Sequence, residues 1–246
     1  MRVAVVGASS QIGLSLISRL STAGYQPYPI RREGRGTHES VAAYVFDEVS
    51  GSFAPPLDAA DAVISLAPLP TVQFAINVAK SLKAKRIIAF GSTGRFSKAL
   101  STSAIERDFV ARQEHAESLF SNECEAIGIG WTLFRPTMIY GADTDLNVAF
   151  ITSLIRRFGF FPVPFGAGGL RQPVHVDDLA GACVSALSHE VTINQAYNLG
   201  GGEILRFPEF IRRIFISQGK RPFLVPVPKV LFFQLVNLIQ MFPKTT

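Results

Sequence analysis

A β-branched and small run, Val3-Ala4-Val5-Val6, breaks at Gly7 and passes through Ala8-Ser9-Ser10-Gln11-Ile12 to Gly13, where helical spacing begins. The pattern predicts a buried strand, a tight turn and a helix N-terminus in direct succession. Such a turn aims backbone N–H groups and the positive end of the helix dipole at one point, which suits a pyrophosphate. Gly7 supplies the positive φ of the turn, and Gly13 lets the helix pack close to the sheet. Ser10 stands where a dinucleotide turn usually carries its middle glycine, and its hydroxyl can cap the helix or meet a phosphate. An ordinary βα turn that binds nothing is the other reading.

The chain then alternates. Ile12, Leu16, Ile17 and Leu20 recur at helical spacing; strands are predicted at 26–31, 42–46, 61–66, 86–90 and 131–134, and helices at 71–82 and 104–120. Alternation of this kind implies right-handed crossovers and an α/β fold with a doubly wound parallel sheet. Beyond Tyr140 the rhythm loosens, which places a Rossmann-type domain over 1–140, with later segments returning to it. A small α+β lobe over 141–246 includes a Pro- and Gly-rich loop at 160–169 and an apolar helix over Val230–Phe242. That helix reads as buried, as a homodimer or partner contact, or as a peripheral membrane contact.

Composition excludes several classes. Apolar residues make up 48% and charged residues 17%, which describes a packed globular chain. The 24 Lys and Arg against 19 Asp and Glu are scattered, so no nucleic-acid footprint is expected. Cys124 and Cys183 lack metal-ligand spacing, no metal site is expected, and a reducing, cytoplasmic setting fits. A chain that opens on a strand predicts no signal peptide, and no 18-residue apolar run predicts a spanning helix.

The ribose of a dinucleotide should meet the end of the second strand, roughly 20 residues past the glycines. Arg31 and Arg32 stand there, where an acid would select NAD. Guanidinium groups match a 2′-phosphate, so NADP is the expected cofactor, with NAD as the alternative; a solvated basic turn is the plainer reading. Asp47 and Glu48 are placed to accept from an adenine amino group, and Leu66-Ala67 to form an apolar wall.

The segments GASSQIG (7–13), DAVISLAP (61–68), RIIAFGSTG (86–94), LFRPTMIYG (133–141), RQPVHVDDLA (171–180) and AYNLGGGE (196–203) together resemble the extended and atypical short-chain dehydrogenase/reductase superfamily, in its NAD-dependent epimerase/dehydratase branch. The resemblance implies hydride transfer on a small-molecule substrate, such as a nucleotide-sugar. It implies a Ser or Thr after the fifth strand, matched by Ser92 and Thr93, and a Tyr-x-x-x-Lys pair on the next helix. Counting back from Glu117, which the family pattern places four residues after its Lys, puts Phe109 in the Tyr position and Gln113 in the Lys position. Neither can move a proton. Glu106 and Tyr140 are the candidate substitutes; Glu114 and His115 point away from the Phe109–Gln113 face. The resemblance also sets Pro136 beside the nicotinamide and Arg135 and Arg171 toward the substrate. An alternative for the whole chain is an NADP(H)-binding sensor or accessory subunit without turnover. His175 reads as a satisfied core histidine, and Asp177 and Asp178 as helix caps.

Overall fold

The computed structural model describes residues 1–32, 43–141, 145, 147–232 and 234. Its elements run β1 (Arg2–Val6), α1 (Gly13–Thr22), β2 (Gln26–Arg32), β3 (Tyr44–Phe46), β4 (Phe53–Ala54), β5 (Ala62–Ser65), α2 (Val72–Ser81) and β6 (Arg86–Phe90). Then come α3 (Gly94–Ser97), α4 (Ala104–Ala126), β7 (Gly130–Pro136), β8 (Met138–Tyr140), α5 (Val148–Phe158), β9 (Phe161–Pro164), β10 (Leu170–Arg171) and β11 (Pro173–His175). The series closes with α6 (Val176–Ser188), β12 (Gln195–Leu199), β13 (Leu205–Arg206), α7 (Phe207–Ser217) and β14 (Leu224–Val227).

The main sheet has eight strands in the order β12-β7-β6-β5-β1-β2-β3-β4, parallel except for the β4 edge. It is a Rossmann-type doubly wound α/β sheet. Alternation along each strand explains its two helical layers. Val3 and Val5 face one way and pack with Leu16 and Leu20 of α1 and Leu179 and Cys183 of α6. Ala4 and Val6 face the other and share a core with Ile76 of α2 and Phe120 and Cys124 of α4. Burial pushes the Cys124 thiol up to about 12 and the Cys183 thiol up as well, so both behave as small apolar residues.

Pro27 and Pro29 sit in β2, where a strand interior normally rejects proline. Pairing with β3 begins only at Ile30, so both lie on the stretch of β2 that has β1 on one side and no β3 partner on the other.

The chain divides into two compact units. The first is Met1–Gly141 with Val174–Gly200, and the second is Ala142–Pro173 with Gly201–Thr246. The stretch 174–200 contributes α6 and β12 to the sheet unit. In the second unit α5 packs on α7, and β9 pairs in parallel with β14 through Phe161↔Leu224 to Pro164↔Val227. That strand falls inside the 160–169 segment expected to be a loop. Its partner lies far along the chain, so nothing local announces it. Most of the expected helix at Val230–Phe242 lies outside the described residues. Among the described residues, no helix is long and apolar enough to cross a membrane.

Candidate dinucleotide site and reactive centre

Strand order reverses at β1. β2 and β3 continue on one side, while β5, β6, β7 and β12 lie on the other. Ligands of open α/β sheets bind at such a switch point, beyond the carboxyl ends of the strands. The ends that meet there are Gly7, after β1, and Leu66-Ala67, after β5. Gly7 has φ +80, and a Cβ on it would lie 3.2 Å from the Ala67 amide nitrogen and 3.3 Å from the Leu66 carbonyl carbon. Leu66 and Ala67 therefore wall the turn.

The loop closes on itself through Ser10 N–H to Gly7 O and Gly13 N–H to Ser10 O, both 2.9 Å. A Cβ at Gly13 would lie 1.9 Å from the Ala8 carbonyl oxygen, so only glycine lets the loop fold onto the head of α1. The amides of Gln11 and Ile12 have no backbone partner among the described residues, and Ile12 caps α1 without a side-chain bond. The Ser10 Oγ is buried with no hydrogen-bond partner. A buried, unpaired hydroxyl beside free amides at a helix head suits a diphosphate, whose oxygens would satisfy them. Ser9 is exposed at the loop surface. The first turn of α1 also gives the Ser15 hydroxyl to Asp177, whose carboxyl is held below its usual range chiefly by that bond. Asp177 thereby ties α1 to the first turn of α6.

At the end of β2, the Arg32 Nε lies 3.1 Å from Glu48 and its guanidinium sits 4.7 Å over the Phe74 ring. Arg31 precedes it, half-buried. Asp47 holds a turn: it accepts from the amides of Val49 and Ser50 and from the Ser50 hydroxyl, which lowers its pKa most. Arg32 and Glu48 thus meet each other, a pairing that sequence spacing does not disclose.

The segment after β6 carries the candidate reactive residues, Ser92 and Thr93. Ser92 Oγ accepts from the Gly94 amide at 3.0 Å, and Thr93 donates both its amide and its hydroxyl to the Pro136 carbonyl at 3.1 Å. The Thr93 hydroxyl is engaged in structure, whereas Ser92 keeps its own proton to donate. A Cβ on Gly94 would lie 3.1 Å from both Ser92 Oγ and the Phe109 ring. Ser92 Oγ and the ring of Phe109 therefore both border Gly94. One turn on, Gln113 is 7% exposed and its Oε1 is buried without a partner.

Two ionic pairings are not visible in the sequence. Lys98 places its ammonium 5.3 Å over the Phe109 ring and 3.1 Å from Glu106. Glu106 in turn accepts from Ser101, the main reason its carboxyl is held low. Glu117, 6% exposed, takes a two-pronged grip from Arg135 at 2.9 and 2.8 Å and a further bond from Arg95. No motif links Arg95 or Lys98 to these partners; only the fold does. Arg135, expected near substrate, thus has its fork on Glu117. Removing one member of a buried ionic group leaves the others unpaired, a loss of about 3 kcal/mol or more. Glu117→Gln should lower stability by about that amount, read as a shift in the urea midpoint.

Tyr140 packs edge-on against His175 at 5.1 Å, and His175 Nδ1 accepts from the Asp177 amide at 3.3 Å, capping α6. Tyr140 and His175 are structural partners. Arg171 belongs to the second unit, where it lies 5.5 Å over the Phe207 ring and donates to its neighbour's carbonyl, Leu170 O, at 2.8 Å. Among the described residues, no group of His, Cys, Asp and Glu could hold a metal ion.

The strand reversal, the two-glycine loop and its walled turn define a protein of the doubly wound α/β class, a fold that receives ligands at this switch point. Residues 71–200 match the family model described as the NAD dependent epimerase/dehydratase family, and the chain belongs to that family. It is similar to the UDP-glucose 4-epimerase of Vibrio cholerae, at 25% identity over 127 residues, 51% of this chain and 38% of that protein. An uncharacterized Mycobacterium tuberculosis protein is 28% identical over 231 residues, 92% of this chain and 24% of its own length. The chain thus spans about two fifths or less of the curated relatives it matches. Its fold is shared with UDP-glucose 4-epimerase from Thermotoga maritima, solved with UDP-glucose (TM-score 0.70, 18% identity, 93% of this chain and 87% of that one). The enzyme from Thermus thermophilus, solved in complex with NAD, matches with TM-score 0.67 and 21% identity over 93% of this chain and 86% of its own.

Proposed function

We propose that this chain binds NADP(H) at its first loop and brings it to a nucleotide-sugar or related metabolite without the family's proton shuttle. The observation that carries the reading is the pairing of a tight glycine loop holding the unpartnered Ser10 hydroxyl with the apolar ring of Phe109, which borders Gly94 together with Ser92. The loop residues Gly7 to Gly13 would hold the diphosphate, Leu66 and Ala67 would flank it, and Arg31 and Arg32 would face the ribose. Pro136 would border the nicotinamide. The cofactor, when bound, supplies a hydride donor or acceptor.

What the chain's own groups can do is narrower. Ser92 can donate a hydrogen bond to a reacting oxygen, but with no base beside it a carbinol proton has nowhere to go. Phe109 has no ionisable atom, and Gln113 carries no charge to tune one. Lys98 and Glu106 neutralise each other across their 3.1 Å contact. Hydride transfer on this scaffold is therefore slow, by about 10² to 10⁴ relative to a site with a matched acid/base. A second reading, an NADP(H)-binding sensor or accessory subunit with no turnover, is favoured by that same ring.

Turnover of NADPH or NADP against a panel of nucleotide-sugars separates the two. Net cofactor oxidation or reduction, or a converted sugar with the cofactor returned unchanged, supports the enzyme, and tight binding with neither supports the sensor. The cofactor preference has its own test. Arg31→Asp should weaken NADPH by about tenfold or more, the value of a charged hydrogen bond, while NADH changes little. Equal losses would remove the 2′-phosphate assignment.

A further inference from the structure

We propose that the second unit carries a docking face for an anionic lipid bilayer, built on Phe158, Phe160 and Phe223 with Arg156, Arg157 and Arg221.

Charge is segregated between the two units. Segments 142–173 and 201–246 hold ten Lys and Arg against four Asp and Glu, a net of +6, whereas the whole chain is +5. The sheet unit is therefore close to neutral, and the excess that looked scattered along the sequence gathers in one body. No acidic residue occurs between Asp145 and Asp177, and none follows Glu209.

Within that body, α5 ends at Gly159, whose φ of +74 turns the chain sharply and sets Phe158 and Phe160 on either side of the bend. Phe158 is 51% exposed, Phe160 37% and Phe223 60%. They form a ladder, with centroids 6.2 Å apart at each step. Arg157 lies 5.3 Å over Phe158, and Lys220 donates to the Ile155 carbonyl at 3.1 Å, near the end of the same helix. Arg156, Arg157 and Arg221 are exposed and form no ion pair with a described residue.

Exposed aromatic rings amid unpaired cations fit a surface that is apolar beneath and anionic above, which is the interface of an acidic bilayer. A second copy would bring +6 against +6. A nucleic acid would need open ring faces for base stacking. Here the rings meet one another at 53° and 61°, and Arg157 covers one of them.

Co-sedimentation of the full chain with phosphatidylcholine vesicles, with and without about one third phosphatidylserine, tests this. The chain should bind the mixed vesicles, fail on the neutral ones, and release as salt rises. Removing a cation near such a surface weakens partitioning about fivefold, so Arg156→Gln with Arg157→Gln should lower it about 25-fold. Phe158→Ser with Phe223→Ser should lower it at least tenfold, a loss set by buried apolar area, while the salt dependence persists. Both arginines are exposed and neither forms an ion pair with a described residue, so that variant keeps the test valid should the phenylalanine variant fold poorly, as judged by its melting temperature. Equal binding to neutral vesicles overturns the proposal. So does undiminished binding by the arginine variant, or capture of an oligonucleotide with no vesicle binding. None of these outcomes depends on whether NADPH binds.

Discussion

A chain carrying both Phe109→Tyr and Gln113→Lys should turn over a hydroxylated substrate about 10² to 10⁴ faster than the natural sequence, the usual worth of general acid/base help. The backbone is already in place for it. Positions 109 and 113 lie one turn apart on α4, and the 109 ring sits within reach of Gly94 and Ser92. A phenol there would have Ser92 beside the same reacting oxygen, and an ammonium one turn away would favour its ionised form. The single substitutions should do much less, because the Lys98 ammonium near the 109 ring is already paired with Glu106 and leaves a phenol there near its ordinary value of about 10. A new limb in the pH–rate profile of the double variant would identify the added group. An unchanged rate in a folded, cofactor-binding double variant would mean that protons take a path that avoids position 109.

The second large effect concerns binding. Gly13→Ala should weaken NADPH by about a hundredfold or more and lower the melting temperature. Its Cβ would lie 1.9 Å from the Ala8 carbonyl oxygen, 2.4 Å from the Ala8 carbonyl carbon and 2.8 Å from the Ala8 Cα, all backbone atoms with no rotamer to turn away. Overpacking of this kind costs about 1–3 kcal/mol even where side chains can yield; here the loop itself must open, and with it the ring of amides. Gly24→Ala is the control. It also sits at positive φ, +78, but meets nothing within 4 Å, so it should cost about 1–2 kcal/mol of backbone strain and leave the NADPH affinity intact. Parallel losses of affinity in both variants would indicate general destabilisation instead of a closed loop.

The sheet was legible because its information is local. Val3 to Val6, Ala62 to Ile64 and Ile87 to Phe90 are short apolar runs buried on both faces, each followed by turn residues and a helical period. β9 was hidden because it pairs with β14, and proline-flanked residues carry no alternating pattern to reveal a partner so distant.

The candidate site divides in the same way. Gly7, Ser10 and Gly13 are visible because one contiguous turn needs them. The reading of Phe109 and Gln113 as the Tyr and Lys positions rests likewise on a local i, i+4 spacing along one helix. The grip of Arg95 and Arg135 on Glu117, the Lys98–Glu106 pair over Phe109 and the meeting of Arg32 with Glu48 all join residues from separate elements. No spacing rule could have matched them. Charge segregation was invisible for a related reason, since the second unit is assembled from two stretches separated by α6 and β12.

Calorimetric titration of the unmodified chain with NADPH is the most direct check on the central claim, that the first loop holds a dinucleotide beside a centre without a proton shuttle. Saturable heat at one site per chain, with NADPH bound more tightly than NADH, is the predicted result. Flat titrations with both dinucleotides would contradict it.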